Sequence, residues 1–581
     1  MNVLTYPVWC TYHDLYPHFQ KVDLLRLFRV LLLAVLLWGV APCALKAEVH
    51  PASKYDRFAV AVSQGIITSE LATIYRAVDI LTPDSLPAQF RANDQSISKC
   101  ATDDLVEAFS LILEKPDDYS GYSKMFMARP TTQWYIESNL GYFRLHFDTE
   151  GANAIPLADA DSNGLPDFIE RAANIADSCW LYEVVTLGHL PPVADFDLGG
   201  SSQYDLYFQQ VPYYGFTSPE IAGPEPWNDF SSHIVVHNSF SPGFPPNDDP
   251  EGLVLGALKV TIAHEFYHAI QFSYDVSEVS FFMEMSSTWM EEMAYPQVND
   301  NYNYLPDFFN VTQVGLQAGG GHRYASFIWP KYLQERFGAG IMRTIWELCR
   351  NATAITAWGS AINTAGSTIE TEFTRFVNWN YHTGNRDIGQ HFETGSEYPQ
   401  VNVMQHHYTL PDSSNFSSLP PEPFGANYIA VENLQGYDGM LVFEFTGLSA
   451  TVWGVAYTID FGAGQYTDSV IAPIINGAVK ISIPNFENVL RVTFQPAVAT
   501  HFGSNYNYTY HLYFRVAGDV DGDNTLSISD AVFMINWIFA GGIAPKPIVS
   551  ADVNCDGLQS VSDVVHIVNY IFGGGSPPCD F

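Results

Sequence analysis

The residues best suited to chemistry are His264–His268, which read HEFYH within the proline-free run LVLGALKVTIAHEFYHAIQFSY. This run predicts a helix, on which His264 and His268, four residues apart, project from one face. Two neutral imidazoles so arranged can bind one zinc ion, and Glu265 then lies beside the metal as a general base. The pattern predicts a metal-dependent hydrolase; the alternative is a buried helix with two hydrogen-bonded histidines.

A catalytic zinc site needs a third protein ligand and one position open to water. No third histidine follows in the HExxHxxGxxH spacing, because Gln271 and Phe272 stand there. A later carboxylate is the remaining source, and the helix predicted over SFFMEMSSTWMEEMA carries Glu284, Glu291 and Glu292. Glu284 and Glu291 share one helical face, so one can bind metal while the other orients a histidine. The spacing does not rank the three.

A hydrogen-bond donor for the developing oxyanion completes a site of this kind. The candidates are His322 and Tyr324, in the glycine-rich stretch GGGHRYASF, and Tyr295. The alternative for the glycine-rich stretch is a surface turn. The sequence has no Cys-x-x-Cys pair, so neither a thiolate zinc site nor a redox dithiol is predicted.

Three twelve-residue segments have the oxygen-ligand spacing of calcium loops, in which the seventh residue contributes its backbone carbonyl. DVDGDNTLSISD, from Asp519, recurs 33 residues later as DVNCDGLQSVSD, and position 6 of the loop is Asn524 in one copy and Gly557 in the other. DADSNGLPDFIE, from Asp159, also fits, although a helix start with acidic residues is the alternative. The predicted ligands are Asp519, Asp521, Asp523, Thr525, Ser527 and Asp530; Asp552, Asn554, Asp556, Leu558, Ser560 and Asp563; and Asp159, Asp161, Asn163, Leu165, Asp167 and Glu170.

The composition limits the class of protein. The 581 residues include 63 acidic and 26 basic side chains, giving a net charge of −37, and 47% are apolar. This apolar content excludes a disordered chain, and the acidic excess argues against nucleic acid or an anionic membrane as the main partner. Basic residues followed by the apolar run Val30–Val40 predict a signal peptide over residues 1–47, with no later membrane span and a secreted product.

Four regions are predicted after the signal peptide. Residues 48–145 form an N-terminal lobe or a prosegment. Residues 146–395 alternate helices and short strands and hold the α+β metallopeptidase domain. About seven β-runs in residues 396–516 have the spacing of an all-β sandwich, and residues 517–581 form a small α-helical module with the two repeated calcium loops.

Five cysteines remain once the signal peptide is removed. Cys555 and Cys579 are close in sequence and are predicted to pair in the C-terminal module. Cys100, Cys179 and Cys349 are predicted to supply one further disulfide and one free thiol.

The C-terminal repeat resembles the type I dockerin domain over residues 518–581. The resemblance implies a module that folds around two Ca²⁺ ions and attaches a secreted enzyme to a cohesin module on a scaffold, often for polysaccharide breakdown. Loop positions 10 and 11, commonly a Ser/Thr pair in the best-known dockerins, are Ile528 and Ser529, then Val561 and Ser562.

HEFYHAIQFSYD followed by FMEMSSTWMEE resembles the gluzincin plan, and more narrowly a family of secreted bacterial metalloproteases reading HEFxHAxQ, then E-x-x-A/S-x-W-x-E. The likeness runs from about residue 55 to residue 395. Gluzincins take their third zinc ligand from the first glutamate of the second helix. The resemblance therefore implies a zincin-like fold with one catalytic Zn²⁺ on His264, His268 and Glu284, supported by Glu291 or Glu292.

The first functional hypothesis is a secreted zinc endopeptidase that acts on protein or peptide substrates, with Glu265 as general base, and is tethered to a cohesin-type scaffold. The second is a catalytically inactive binding or structural component of an extracellular, cellulosome-like complex. A glycoside hydrolase has less basis, because no carboxylate pair can be located from the sequence. The intact His264, Glu265 and His268 favour the enzyme.

Overall fold

A computed structural model describes residues 56–91, 97–410, 412–415, 419–434, 440–500, 506–516, 518–523, 525–545 and 548–579. The predicted signal peptide, residues 1–47, and Asn524 lie outside these ranges. Within them, no helix combines the length and apolar character that a membrane crossing requires.

A mixed six-stranded sheet forms the centre of the N-terminal part, with strand order β1-β5-β6-β4-β3-β2. β1 is parallel to β5, β5 is antiparallel to β6, the strands β6, β4 and β3 are parallel, and β2 is antiparallel to β3. The strands are β1 (Ser98–Cys100), β2 (Trp134–Glu137), β3 (Phe143–Phe147), β4 (Tyr204–Gln209), β5 (Tyr213–Ala222) and β6 (Phe230–His237).

This sheet crosses the boundary that the sequence predicted at residue 145. β1, β2 and β3 all derive from residues 98–147, and β3 pairs with β4 in the sheet interior. One hydrophobic core cluster runs from Phe58 to Ala499. A division at residue 145 would cut through β3 and separate strands that share hydrogen bonds and a core.

Helices pack around the sheet, and the one that carries HEFYH is buried along most of its length. That helix, α7, contacts β5, β6 and α8, and its residues from Gly256 to Gln271 are all buried. Apolar and small residues on all its sides make this burial favourable. The helices are α1 (Arg57–Ser63), α2 (Ser69–Leu81), α3 (Thr102–Glu114), α4 (Pro116–Tyr119), α5 (Ser123–Phe126), α6 (Asp167–Trp180), α7 (Leu253–Gln271), α8 (Ser280–Ala294), α9 (Leu305–Phe309), α10 (Gly321–Ala325), α11 (Ile328–Phe337), α12 (Gly340–Cys349), α13 (Ala354–Thr364) and α14 (Ile369–Tyr381).

A β-sandwich follows, built from a sheet of order β13-β10-β15-β8 and a sheet of order β12-β11-β14-β9-β7. Its described strands number nine, rather than about seven. The Tyr428 hydroxyl donates to the Val377 carbonyl of α14 at 2.8 Å, which joins the sandwich to the helical part. The strands are β7 (Gln405–His407), β8 (Asp412–Asn415), β9 (Ile429–Glu432), β10 (Met440–Gly447), β11 (Trp453–Asp460), β12 (Tyr466–Ile471), β13 (Ala478–Ile483), β14 (Arg491–Val498) and β15 (Tyr508–Arg515).

The C-terminal module contains two equivalent helices, α15 (Ile528–Ala540) and α16 (Val561–Gly573). Each begins with a capping box, from Ser527 and from Ser560, and each ends at a glycine in the left-handed conformation. The sequence repeat is thus a structural repeat.

The cysteines agree only in part with the prediction. Cys555 and Cys579 form a disulfide. Cys100, Cys179 and Cys349 are free and buried, so the predicted second disulfide is wrong. The three lie on different elements, β1, α6 and α12, which do not bring their sulfur atoms together.

Candidate metal centre

The two histidines of HEFYH and Glu284 meet in the interior, where α7 packs against α8. His264 Nε2 lies 3.2 Å from His268 Nε2 and 3.2 Å from Glu284 Oε2, and His268 Nε2 lies 3.7 Å from Glu284 Oε1. The two imidazole planes are inclined at 76°, so both rings can point at one atom between them. The structure thus brings together the three residues that the sequence nominated as zinc ligands.

Hydrogen bonds fix which nitrogen of each histidine faces the cluster. His264 Nδ1 is 2.7 Å from Glu291 Oε1, and because an ionised carboxylate only accepts, Nδ1 carries a hydrogen. His268 Nδ1 is 2.8 Å from Gln271 Oε1, an amide held in this orientation because its Nε2 donates to the Met283 carbonyl. Both rings therefore direct Nε2 inward, as metal-binding histidines do.

A buried lysine supports His264 from the far side of Glu291. Lys99 Nζ lies 2.9 Å from Glu291 Oε2 and also pairs with Asp300. The side chains of all three are almost inaccessible to solvent. Two buried carboxylates would be costly without this ammonium group, so Lys99 stabilises the arrangement that orients the imidazole.

Cys100, the last residue of β1, brings a sulfur atom to the same point. Its Sγ lies 3.6 Å from His268 Nε2, and one ligand atom from each of Cys100, His264, His268 and Glu284 fits within a span of 4.8 Å. The backbone N–H of Thr102 donates to this sulfur at 3.3 Å. Burial, together with the charges of Glu265 and Glu284, nevertheless raises the pKa of the Cys100 thiol, so the sulfur becomes a thiolate only when a cation is bound. The cluster therefore has four protein donors.

The donors and their spacing fit zinc. Zinc bonds of about 2.0–2.3 Å in tetrahedral geometry put neighbouring donors about 3.3–3.6 Å apart. Four donor separations, 3.2, 3.2, 3.7 and 3.6 Å, are close to these values, with the two to Glu284 made to different oxygens of its carboxylate. Glu284 Oε1 is buried and makes no hydrogen bond within the described chain, and a cation would satisfy it. Imidazole and thiolate ligands favour Zn²⁺ over Mg²⁺ or Ca²⁺.

Glu265 is held beside the cluster by hydroxyl groups from two other elements. Thr102 Oγ1 donates to Glu265 Oε2 at 3.0 Å, and Thr217 Oγ1 lies 3.0 Å from the same oxygen. The Thr102 hydroxyl also accepts the Thr217 backbone N–H at 2.8 Å. Gly215 permits the close approach of β5, since a Cβ there would lie 3.0 Å from Glu265 Cγ. The carboxylate is thus oriented by β5 and by the start of α3.

Burial and neighbouring charges set the protonation of the metal-free cluster. Burial raises the pKa of Glu265 to about 7 and lowers the pKa of His268 to about 4. Burial lowers the pKa of His264, but the hydrogen bonds and charges of Glu284 and Glu291 outweigh this effect and raise the pKa to about 10. Burial of Glu284 is outweighed in turn by its histidine partners, which lower its pKa to about 2. A proton therefore lies between His264 and Glu284, where a cation would bind.

The two alternative ligands on α8 lie elsewhere. Glu291 contacts the outer nitrogen of His264, as described above, so it orients the ring. Glu292 accepts from Asn301 Nδ2 at 3.0 Å and lies 3.6 Å from Lys331 Nζ. The structure thus assigns neither residue to the ligand cluster.

Among the predicted oxyanion donors, Tyr324 is the one for which the described residues show a contact with the cluster. Its ring centroid is 6.4 Å from that of His264. His322 instead donates from Nδ1 to the Asp307 carbonyl at 2.9 Å and packs on Phe308. Tyr295 lies against α6, 3.4 Å from the Ile175 carbonyl. The contacts of His322 and Tyr295 are thus with α9 and α6 rather than with the cluster.

Sequence reasoning missed Lys99, Cys100, Thr102 and Thr217. Cys100 precedes His268 by 168 residues, and β1 is only three residues long, so neither spacing nor periodicity marks it. The prediction of no thiolate at the zinc site was based on the absence of Cys-x-x-Cys. It is not supported, because strand pairing delivers a single cysteine.

A second group, His382, His391 and Asp468, also has ligand atoms within 4.8 Å of one another. Its imidazoles are stacked at 4.0 Å with an interplanar angle of 3°. A histidine binds metal in the plane of its ring, and two parallel planes share no point. The Asp468 carboxylate lies 2.8 Å from one Nε2 and 3.3 Å from the other, which accounts for the group without a metal.

Two of the three predicted calcium loops bring acidic side chains close together. Asp159, Asp161 and Asp167 form one close group, and Asp519, Asp521 and Asp523 form another. In the first loop, the predicted ligands Asn163 and Glu170 are joined by a 2.7 Å hydrogen bond. In the C-terminal loops, Asp530 accepts from Val520 N and Ser527 N, and Asp563 accepts from Val553 N and Ser560 N.

Comparison with known families assigns the C-terminal module. Residues 517–572 match the model of the dockerin type I domain. The chain ends in a type I dockerin domain. Such a domain implies calcium binding and a cohesin partner, and dockerin proteins are typically extracellular and cellulosome-associated.

Residues 255–460 match a family of unknown function (DUF6055). The match covers both histidines, Glu265 and Glu284, and identifies no activity. No curated protein matches the chain.

Proposed function

We propose that this protein is a secreted zinc endopeptidase that its dockerin attaches to a cohesin-bearing scaffold. The observation that carries the proposal is the convergence of His264 Nε2, His268 Nε2 and the Glu284 carboxylate, with separations of 3.2–3.7 Å. Glu265 lies next to them and is not a ligand. Zinc-dependent peptide hydrolysis uses two histidines and a carboxylate as metal ligands, with a general base beside them.

His264, His268 and Glu284 would hold zinc, which when bound would supply a Lewis acid for water activation and carbonyl polarisation. Glu265 accepts the proton of the attacking water and returns it to the leaving amine. In the present conformation Thr102 Oγ1 donates to Glu265 Oε2 at 3.0 Å and Thr217 Oγ1 donates to the Glu265 backbone carbonyl at 2.8 Å, which orients the carboxylate beside the cluster. Tyr324 is the candidate donor to the carbonyl oxygen, because its buried side chain faces His264.

The dockerin supports attachment through exposed apolar side chains on both of its helices. They recur at the same positions in α15 and α16, with spacings of four, three and four residues that align them on one face. Repeated apolar faces on a secreted module fit a protein partner. We assign the cohesin contact to them: Ile528, Val532, Ile535 and Phe539, with Val561, Val565, Val568 and Phe572.

One observation favours a second candidate function. Structural zinc sites are closed by four protein ligands, whereas catalytic sites leave one position for water. Cys100 gives this cluster a fourth protein donor. The second candidate is therefore a non-catalytic component of the scaffolded complex, in which zinc only stabilises the fold.

Zinc analysis and peptide hydrolysis of Glu265→Gln test the proposal. We expect one zinc per chain in wild type and variant, and a rate about 10²–10⁴-fold lower for Glu265→Gln. The change is made both in wild type and in a Cys100→Ala background, so that a closed site does not mask activity. Glu292→Gln, the same change at another buried glutamate, on α8 and outside the cluster, is the matched control. Absence of zinc, or equal hydrolysis with and without Glu265, would refute the enzyme.

A further inference from the structure

We propose that Cys100 is a releasable fourth zinc ligand and that the strand carrying it keeps the metal centre closed, so that this conformation is a latent form of the enzyme. The inference rests on the proposed function and concerns the regulation of the same site.

The sulfur reaches the cluster through strand pairing. β1 pairs in parallel with β5, and Cys100 lies opposite Gly215, the residue whose missing side chain lets β5 approach Glu265. This register aims Sγ at His268 Nε2, 3.6 Å away. That separation is the one expected for a sulfur and a nitrogen on the same tetrahedral zinc. Cys100 therefore takes the position that water needs in a catalytic site.

The same strand also covers the edge of the sheet next to the general base. β5 has β6 on one side and β1 on the other, and its Thr217 contacts Glu265. A peptide substrate commonly binds an enzyme by adding a strand to an exposed sheet edge. Here the three-residue β1 pairs with β5 from Tyr213 to Gly215, the part of the edge beside Glu265, so one segment lies both at the metal site and where a peptide would pair.

Contacts on both sides of Cys100 hold the segment closed. Lys99 is clamped between Glu291 and Asp300, and Thr102 bonds Glu265. Asp103 pairs with Arg323, the neighbour of Tyr324. The segment therefore contacts the ligand support, the ligand position and the general base. A segment that closes the metal site is expected to make its contacts with the catalytic groups in this way.

The test uses the full-length protein and begins with wild type alone. Zinc K-edge X-ray absorption should show one sulfur at about 2.3 Å from the metal. In the cobalt-substituted protein, a sulfur-to-cobalt charge-transfer band should be present in wild type and in Cys179→Ala, a matched change of another buried cysteine. It should be lost in Cys100→Ala and Cys100→Ser, which should retain one metal ion per chain.

Hydrolysis of a short fluorogenic peptide then tests latency. We expect Cys100→Ala or Cys100→Ser to be about tenfold or more faster than wild type, with the gain abolished by Glu265→Gln. A zinc shell without sulfur overturns the inference whatever the activity. A sulfur-ligated wild type that is as active as the Cys100 variants overturns latency. Sulfur ligation with no hydrolysis in any variant refutes the proposed enzyme and latency together, leaving a closed structural zinc site.

Discussion

The three glutamates of α8 should differ sharply in their effect on zinc affinity, although all are buried and two are adjacent in sequence. Glu284 contributes an oxygen to the cluster, and Glu291 contacts only the outer nitrogen of His264. Glu292 faces Asn301 and Lys331. We therefore expect the changes Glu284→Gln, Glu291→Gln and Glu292→Gln to weaken zinc binding in that order.

The expected magnitudes follow from these positions. Structural zinc sites bind with about 10–16 kcal/mol, so one of four ligands accounts for about 2.5–4 kcal/mol, and Glu284→Gln should weaken affinity about 10²–10³-fold. Loss of an outer partner of a ligating histidine lowers affinity about 10–100-fold. Glu291→Gln should be near tenfold, because glutamine retains one acceptor oxygen. Glu292→Gln should change affinity by less than about twofold, because the bond from Asn301 can still be made.

Competition with a chromophoric zinc chelator measures all three affinities on the full-length protein, and circular dichroism checks that each variant is folded. Two results would refute the reasoning. If Glu292→Gln lost as much affinity as Glu291→Gln, general damage to α8 would explain both. If Glu284→Gln bound zinc as tightly as wild type, Glu284 would not be a ligand.

Two further predictions concern stability. Lys99→Met should lower the free energy of unfolding by about 3–5 kcal/mol, because Glu291 and Asp300 would remain buried without their cation, and Lys99→Met with Asp300→Asn should lose less. Urea unfolding followed by tryptophan fluorescence measures both, and equal losses would contradict the pairing. Calcium removal should make the dockerin of the full-length protein sensitive to chymotrypsin, because its described core has only seven buried apolar residues. Digestion unaffected by EGTA would contradict calcium-dependent folding.

Elements with local signals could be predicted from the sequence. The helix predicted around HEFYH is α7, and the β-runs predicted in residues 396–516 correspond to strands such as β10 and β13. The repeated calcium loops likewise predicted α15 and α16. In each case the periodicity, cap or turn residues that define the element lie within it.

Features that depend on distant pairing could not be predicted. β1 is three residues long, and Ser98 pairs with Tyr213, far along the chain. The pairing around the predicted boundary at residue 145 could not be predicted for the same reason, since β3 spans that residue while its partner β4 begins at Tyr204. The amino-acid composition of the sequence shows no change at a position when one sheet contains strands from both sides of it. The ligand Cys100 and the supporting Lys99 were missed with the strand that carries them.

The contact between Thr102 and Glu265 bears on the choice between an enzyme and a purely structural zinc. A structural site needs its four donors and their immediate supports, and Cys100 with Lys99 would be enough for that purpose. Glu265 is neither a donor to the metal nor a support of a donor. It is nevertheless buried, and burying a carboxylate that has no role would destabilise the fold. Two threonine hydroxyls from separate elements nevertheless hold it beside the cluster. A role as general base explains why a carboxylate is kept there despite the free-energy cost of burying it. On that interpretation, the contacts of residues 98–103 close a catalytic site rather than a purely structural one.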